Sequence, residues 1–175
     1  MKKNIMTGLL VMLFLLATLA ACGGGGGGGG AAAVLPSTSN TKAILTLSTS
    51  GTGTISGIEA TLNLPAGVTA KASLYSLGST TYVTDPGVVT AMGAAANPDT
   101  EGGSYMPGDT PSTHKIRVVV TKLAGFGTGD FATVNCDIVS GSPSATSFTL
   151  TDFKATDEVG ATILGVTPGF TAVFQ

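Results

Sequence analysis

Apolar and polar residues alternate along much of this chain, the period expected of strands that bury one face. In Gly57–Leu64 the residues Ile58, Ala60, Leu62 and Leu64 fall on one side, and Glu59, Thr61 and Asn63 on the other. In Asp130–Val139 one side carries Ala132, Val134, Cys136 and Ile138, and the other Thr133, Asn135 and Asp137. Lys115–Lys122 places Ile116, Val118 and Val120 inward. Shorter runs predict further strands at Lys42–Ser48, Ala70–Leu77, Thr80–Val83, Ser147–Lys154, Ala161–Val166 and Phe170–Phe174. Between these runs lie Pro65-Ala66-Gly67, Asp85-Pro86-Gly87, Pro107-Gly108-Asp109 and Asp157-Glu158-Val159-Gly160, all residues suited to tight turns. Many short strands at this spacing predict an all-β sandwich or barrel. The Ala-rich Thr90–Ala96 has room for one helical turn.

The first residues follow another pattern. Lys2 and Lys3 precede an apolar stretch, Gly8–Leu16, and then Leu19-Ala20-Ala21-Cys22. Charge, apolar run and small residues at a cut make a signal peptide. Leu-Ala-Ala-Cys resembles the lipobox of bacterial lipoproteins. That resemblance implies that the Cys22 thiol receives a diacylglyceryl group and that cleavage before Cys22 frees an amine for acylation. One alternative is a transmembrane anchor, since Ile5–Ala21 is 17 residues, at the short limit for a span. Another is a plain secretory peptide with an incidental cysteine. Gly23–Gly30 is an unbroken run of eight glycines, followed by Ala31-Ala32-Ala33 and Pro36-Ser37-Thr38-Ser39-Asn40. Glycine has no side chain to bury and much entropy to lose, so this stretch predicts a tether. As a flexible chain, Gly23–Thr41 would reach roughly 25 Å. The expected organisation is a signal peptide at 1–21, a lipidated cysteine and tether at 22–41, and one domain at 42–175. Gly23, rather than Asp, follows Cys22, which by resemblance to lipoprotein sorting favours an outer membrane where the cell has one.

Charge narrows the partners. Only 10% of residues are charged, and Trp is absent. A mean hydropathy of +0.43 is raised by the first 21 residues. Lys2 and Lys3 are two of the 8 basic residues, so the remainder stands near −4 against 10 acidic ones. Phosphate binding needs a basic face, which argues against nucleic acid. The same balance argues against electrostatic docking to anionic lipid.

Three segments resemble the cohesin family. Gly57–Val68 (G-I-E-A-T-L-N-L-P-A-G-V) is similar to an early cohesin strand ending in a turn. Gly129–Val139 (G-D-F-A-T-V-N-C-D-I-V) is similar to the later glycine-led strand, and Phe148–Gly165 to the closing hairpin. Together they cover about a third of the domain, in the family's order. Where a family strand ends in a Tyr-Asp-Pro type of turn, this chain has Asn63-Leu64-Pro65. The resemblance implies a jelly-roll β-sandwich of about nine strands, related in fold to carbohydrate-binding modules. It also implies a non-catalytic module that captures a protein, dockerin-like partner. A structural or assembly subunit is the alternative, working by strand addition at an open sheet edge, with Val166–Phe174 the suspected segment. Polysaccharide binding is a further alternative.

Candidate chemistry is sparse. His114 is the single histidine, so no His-rich cluster or triad can form around more than this residue. Its Pro-Ser-Thr-His-Lys setting predicts an exposed loop position. With Cys22 acylated, Cys136 has no partner within the chain, and its inward position predicts a small buried hydrophobe. An intermolecular disulfide is the other reading. Asp99, Glu101 and Asp109 cluster around a predicted loop, Asn97–Thr113. They are either solvated carboxylates or candidates for a structural calcium, which favours oxygen-rich loops. Asp152, Asp157 and Glu158 near the closing hairpin carry a weaker signal. Gly125-Phe126-Gly127-Thr128-Gly129 lacks the Lys-Ser/Thr of a phosphate loop and predicts a strand connection. Sugar-binding faces usually present rows of aromatics, and the chain offers Tyr75, Tyr82 and Tyr105.

Overall fold

A computed structural model of the chain describes residues 39–110 and 114–175. The signal peptide, Cys22 and nearly all of the tether lie outside the described residues. The compact unit Thr38–Gln175 holds every strand found among the described residues. These are β1 (Lys42–Ser50), β2 (Ile55–Asn63), β3 (Val68–Thr69), β4 (Ala72–Leu74), β5 (Tyr82–Thr84), β6 (Val89–Ala91), β7 (Thr100–Met106), β8 (Lys115–Phe126), β9 (Gly129–Ile138), β10 (Thr149–Thr156) and β11 (Thr167–Phe174). They form two sheets of a jelly-roll-type sandwich. In the first sheet β11, β1 and β9 lie side by side, and β3 and β6 share the far edge of β9. The second sheet runs β10-β2-β8-β7-β5-β4.

Topology follows from one long ribbon. β1 pairs antiparallel with β9 while β2, which follows β1 into the other sheet, pairs antiparallel with β8. The ribbon β1–β2 therefore lies along β8–β9 in reverse chain order. β11 and β10 flank it on the other side, on β1 and β2 respectively. Leu45 and Leu47 of β1, Ile58 and Leu62 of β2, Ile116, Val118 and Val120 of β8, and Val134 of β9 meet in the buried middle. Their alternation in sequence becomes alternation between core and surface, as a period of two requires.

Several expected elements differ. The described residues contain eleven strands, not about nine. β3 and β6 are only two and three residues long, too short to leave a periodic trace. Asn97–Thr113, read as a loop, contains the seven-residue strand β7. Its sequence, Thr-Glu-Gly-Gly-Ser-Tyr-Met, has weak intrinsic strand preference, and the ladder along β8 supplies the order. Gly103 is closely packed there: a Cβ would sit 3.0 Å from the Arg117 carbonyl oxygen, 3.1 Å from Val89 Cγ2 and 3.2 Å from Ile116 Cγ2. Ala161–Val166 is not a strand. It is a turn held by one bridge, Thr156 to Thr162, and by the Ile163 N–H on the Ala155 carbonyl at 2.9 Å. Ala70–Leu77 shortens to Ala72–Leu74. The helical turn suspected in Thr90–Ala96 is one 3-10 turn at Gly93–Ala95.

The turn Pro65–Gly67 is as expected. Gly67 has φ +79°, and a Cβ there would lie 2.1 Å from the Ser140 carbonyl oxygen. Phe131 was unassigned by periodicity, yet it is fully buried beside the equally buried Ala132. A bulge opposite Leu47/Ser48 permits both to face the core.

Candidate functional site

The outer face of the second sheet is the broadest regular surface. Across β10, β2, β8 and β7 its rows read Thr151, Thr61, Arg117, Ser104, and then Lys154, Glu59, Val119, Gly102. Thr, Ser, Val and Gly fill five of these eight positions, with Arg117, Glu59 and Lys154 at the other three. Asn63 ties β2 to β10, its Nδ2 donating to Thr149 Oγ1 at 3.1 Å and Thr151 Oγ1 at 3.2 Å. At the centre, Arg117 Nε donates to Glu59 Oε1 at 2.7 Å. That hydrogen bond holds the Glu59 carboxyl below the usual carboxylate range, with the nearby charge of Arg117 adding to it. The face carries only a shallow groove of about 150 Å³, lined by Gly57, Glu59, Val119, Thr121, Lys154 and Thr156.

A larger cleft of about 360 Å³ lies at one end of the same sheet. β8 bulges away from β2 between Thr121 and Phe126, which lifts Leu123, Ala124 and Gly125 out of the ladder. The turn Asp157–Val159 forms the other wall. Asp157 is spent on that turn, with Oδ1 accepting from the N–H of Val159 at 3.0 Å and of Ala161 at 2.9 Å. Leu123 and Val159 are exposed at the rim.

The sequence candidates are dispersed. Asp99 Oδ2 accepts from the Leu123 N–H at 2.6 Å and so anchors the β8 bulge. Glu101 Oε2 accepts from the Ala91 N–H and ties β7 to β6 in the opposite sheet. Both carboxylates thus support backbone. Asp109 lies beyond the end of β7. Among the described residues no three His, Cys, Asp or Glu side chains converge as a metal site would need. His114 is not an exposed loop residue. It is half-buried and stacks on Tyr105 with ring centroids 5.6 Å apart and planes 10° from parallel. The Tyr105 hydroxyl and His114 Nδ1 share a hydrogen bond of 2.7 Å. Burial holds Tyr105 above the ordinary phenol value. Sequence spacing could not show this pairing, because β7 was not visible as a strand.

Cys136 is buried on the inward side of β9 as expected. Burial pushes its thiol up to about 12, with Asp137 adding to the shift. A thiol so protonated is a poor nucleophile. Phe126 closes β8 in the core and Gly129 opens β9, so the glycine-rich stretch is a strand connection. Tyr82 and Tyr105 oppose one another across β5 and β7 and are half-buried. Among the described residues Tyr75 is the one exposed aromatic, so no aromatic row forms.

No protein-family model and no curated protein matches this chain. Among solved structures, a non-cellulosomal cohesin from the hyperthermophilic archaeon Archaeoglobus fulgidus is similar, with 14% identity and a TM-score of 0.45, over 71% of this chain and 74% of that one.

Proposed function

We propose that the chain is a non-catalytic binding module, lipid-anchored through Cys22 in the cell envelope, that captures a protein partner on the outer face of its second sheet. The observation that carries this reading is the extent of that face, which holds a groove of only about 150 Å³. β10, β2, β8 and β7, about 4.8 Å apart over the seven positions Gly57–Asn63 at about 3.3 Å each, offer roughly 450 Å², and the three-residue β5 and β4 add roughly 100 Å², together about two-thirds of the roughly 800 Å² that each partner gives a standard interface. Small-molecule sites are concave, whereas the groove here is shallow and open. The lipobox-like Leu19–Cys22 and the glycine run behind it support display at a membrane. The cohesin-like segments quoted above make a dockerin-like partner the first to try.

The test has two arms. Cys22→Ser is expected to abolish incorporation of labelled palmitate, and continued labelling would reject the anchor. In envelopes expressing the anchored chain, crosslinking should capture a partner that Val119→Arg loses and Thr133→Arg, on the outer face of the first sheet, retains. Equal behaviour of the two variants would reject this face.

A second reading, an assembly subunit, is favoured by β11. It pairs with β1 on one side only. Lys42 and Gln175 exchange hydrogen bonds of 2.9 and 3.0 Å, so by antiparallel parity the backbone groups of Phe174, Ala172 and Phe170 point to the open edge. Pro168 interrupts that row, since it has no N–H. Concentration-dependent assembly lost on Ala172→Pro would favour this reading.

A further inference from the structure

The sandwich has two ends, and the chain enters at one of them. Thr41 and Lys42 donate to the Gln175 carbonyl at 2.6 and 2.9 Å, and Ile138 donates to the Thr41 carbonyl at 2.8 Å. Ile138 also pairs with Val68, which follows the end of β2 by a short turn. The row Asn63, Lys115, Met106 of the second sheet therefore lies at the entry end. One row further in, Leu74 opposes Tyr82, Tyr82 opposes Tyr105, and Tyr105 opposes Ile116. The tip of the β4–β5 hairpin, Tyr75–Thr81, thus projects beyond the strands at the end where the chain arrives.

That tip is uncharged, and three large apolar side chains stand exposed among its serines and threonines. Leu74 is 49% exposed, Tyr75 77% and Leu77 104%. Ala72–Thr84 contains no charged residue, and Lys71 and Asp85 flank it at the base. Three of the seven amides of Tyr75–Thr81 are bonded within the loop. The Tyr75 N–H reaches the Thr81 carbonyl at 2.9 Å, the Ser79 N–H reaches the Ser76 carbonyl at 3.0 Å, and the Thr81 N–H reaches Ser79 Oγ at 2.9 Å. Those three amides need not be stripped of water when the tip enters a low-dielectric layer. Met106 and Val139 are exposed at the same end.

We propose that this hairpin tip inserts into the interfacial layer of the bilayer that anchors the chain, with Leu74, Tyr75 and Leu77 as the inserting side chains. The proposal rests on the lipid-anchored reading above. Leucine supplies apolar area and tyrosine suits the boundary between headgroups and hydrocarbon. No basic patch is needed, in keeping with the acidic balance of the chain. The tether makes insertion intramolecular, so a weak intrinsic affinity suffices. The exposed Leu123, Val159 and Leu164 lie at the other end of the strands. Nine-residue strands such as β1 and β2 place them roughly 30 Å further from the entry end, so bringing them to the bilayer would stretch a flexible tether past its r.m.s. span of roughly 25 Å.

The absence of Trp makes the test clean. The chain from Cys22 onward is coupled through the Cys22 thiol to maleimide phospholipid in phosphatidylcholine vesicles. The buried Cys136 does not compete. Leu77→Trp and Tyr75→Trp serve as single probes at the tip and Leu123→Trp as the probe at the other end. Coupling is expected to shift the tip probes to shorter emission wavelength. Phospholipid brominated high in the acyl chain should quench them at least about twofold more than Leu123→Trp, because an interfacial side chain sits within about 5–10 Å of that depth. Quenching equal at both ends would overturn the proposal. So would a wavelength shift that appears without vesicles and grows with protein concentration, which would assign the tip to a second copy. Chemical coupling bypasses biological acylation, so palmitate labelling that persists in Cys22→Ser would reject the anchor reading alone.

Discussion

The ribbon of β1, β2, β8 and β9 and the hairpin β4–β5 draw on the same residue classes, Leu, Val, Thr, Ser and Ala, and put them to opposite use. In the ribbon each strand has neighbours on both sides, and the inward residues are sealed by the facing sheet. In the hairpin, β4 is the edge of its sheet, and Leu74 and Leu77 face solvent. Composition therefore does not decide burial. A leucine is core when its strand is central and covered, and a contact surface when its strand is an uncovered edge. The ribbon specifies the fold, and the hairpin leaves Leu74 and Leu77 outside the core.

The sharpest test of this contrast is charge insertion in the ribbon. Val134 is fully buried while Thr133 is half-buried between Thr46 and Thr90. Val134→Lys should cost several kcal/mol in urea melts, because it buries an unpaired ammonium, whereas Thr133→Lys should stay within about 0.5 kcal/mol. Comparable losses would show that the ribbon is not sealed. The buried Cys136 gives the next largest effect. Its thiol is raised from 9.0 to about 12, so the folded state keeps a proton that the unfolded state releases. That contribution is whole below pH 9 and is lost as pH rises through the window up to about 12. The stability difference between the parent and Cys136→Ala should change across the window at about 1.4 kcal/mol per pH unit. A flat difference would mean that solvent reaches the thiol.

On the ribbon's outer surface the expectation is small. Arg117→Ala should cost about 0.5 kcal/mol, the range of exposed ion pairs, and less at high salt. Glu59 is lowered from 4.5 by its bond to Arg117. The pair's contribution is thus present above pH 4.5 and fades as pH falls through the lowered value. Melts of parent and variant that converge in acid would confirm the sign. The smallest effect belongs to the hairpin. Leu77→Ser removes a side chain that touches nothing buried and should leave the urea midpoint unchanged. A loss above about 0.5 kcal/mol would place Leu77 in the structure of the domain and erase the contrast.

The long central strands β1, β2, β8 and β9 were legible because most of their length carries a period-two pattern that matches the final burial. The inward assignments of Ile58, Leu62, Ile116, Val118, Val134 and Cys136 all hold. Phe131 escaped that reasoning, since a bulge breaks the period where it enters the core. β7 escaped it because its glycines give no pattern, and its order comes from β8. Asp99 and Glu101 looked like a cluster along the chain, but strand geometry sends one to the β8 bulge and the other to β6. Stacking of His114 on Tyr105 depended on that same unseen strand.

Alternation and turn residues by themselves determined that this domain is all-β, where its long strands run and which of their faces turn inward, since these are local consequences of backbone geometry. Pairing order, bulges and the choice of which strands are edges were decided only by the tertiary structure. These depend on contacts between residues far apart in the chain, and they settle whether a given leucine is covered or left for a partner.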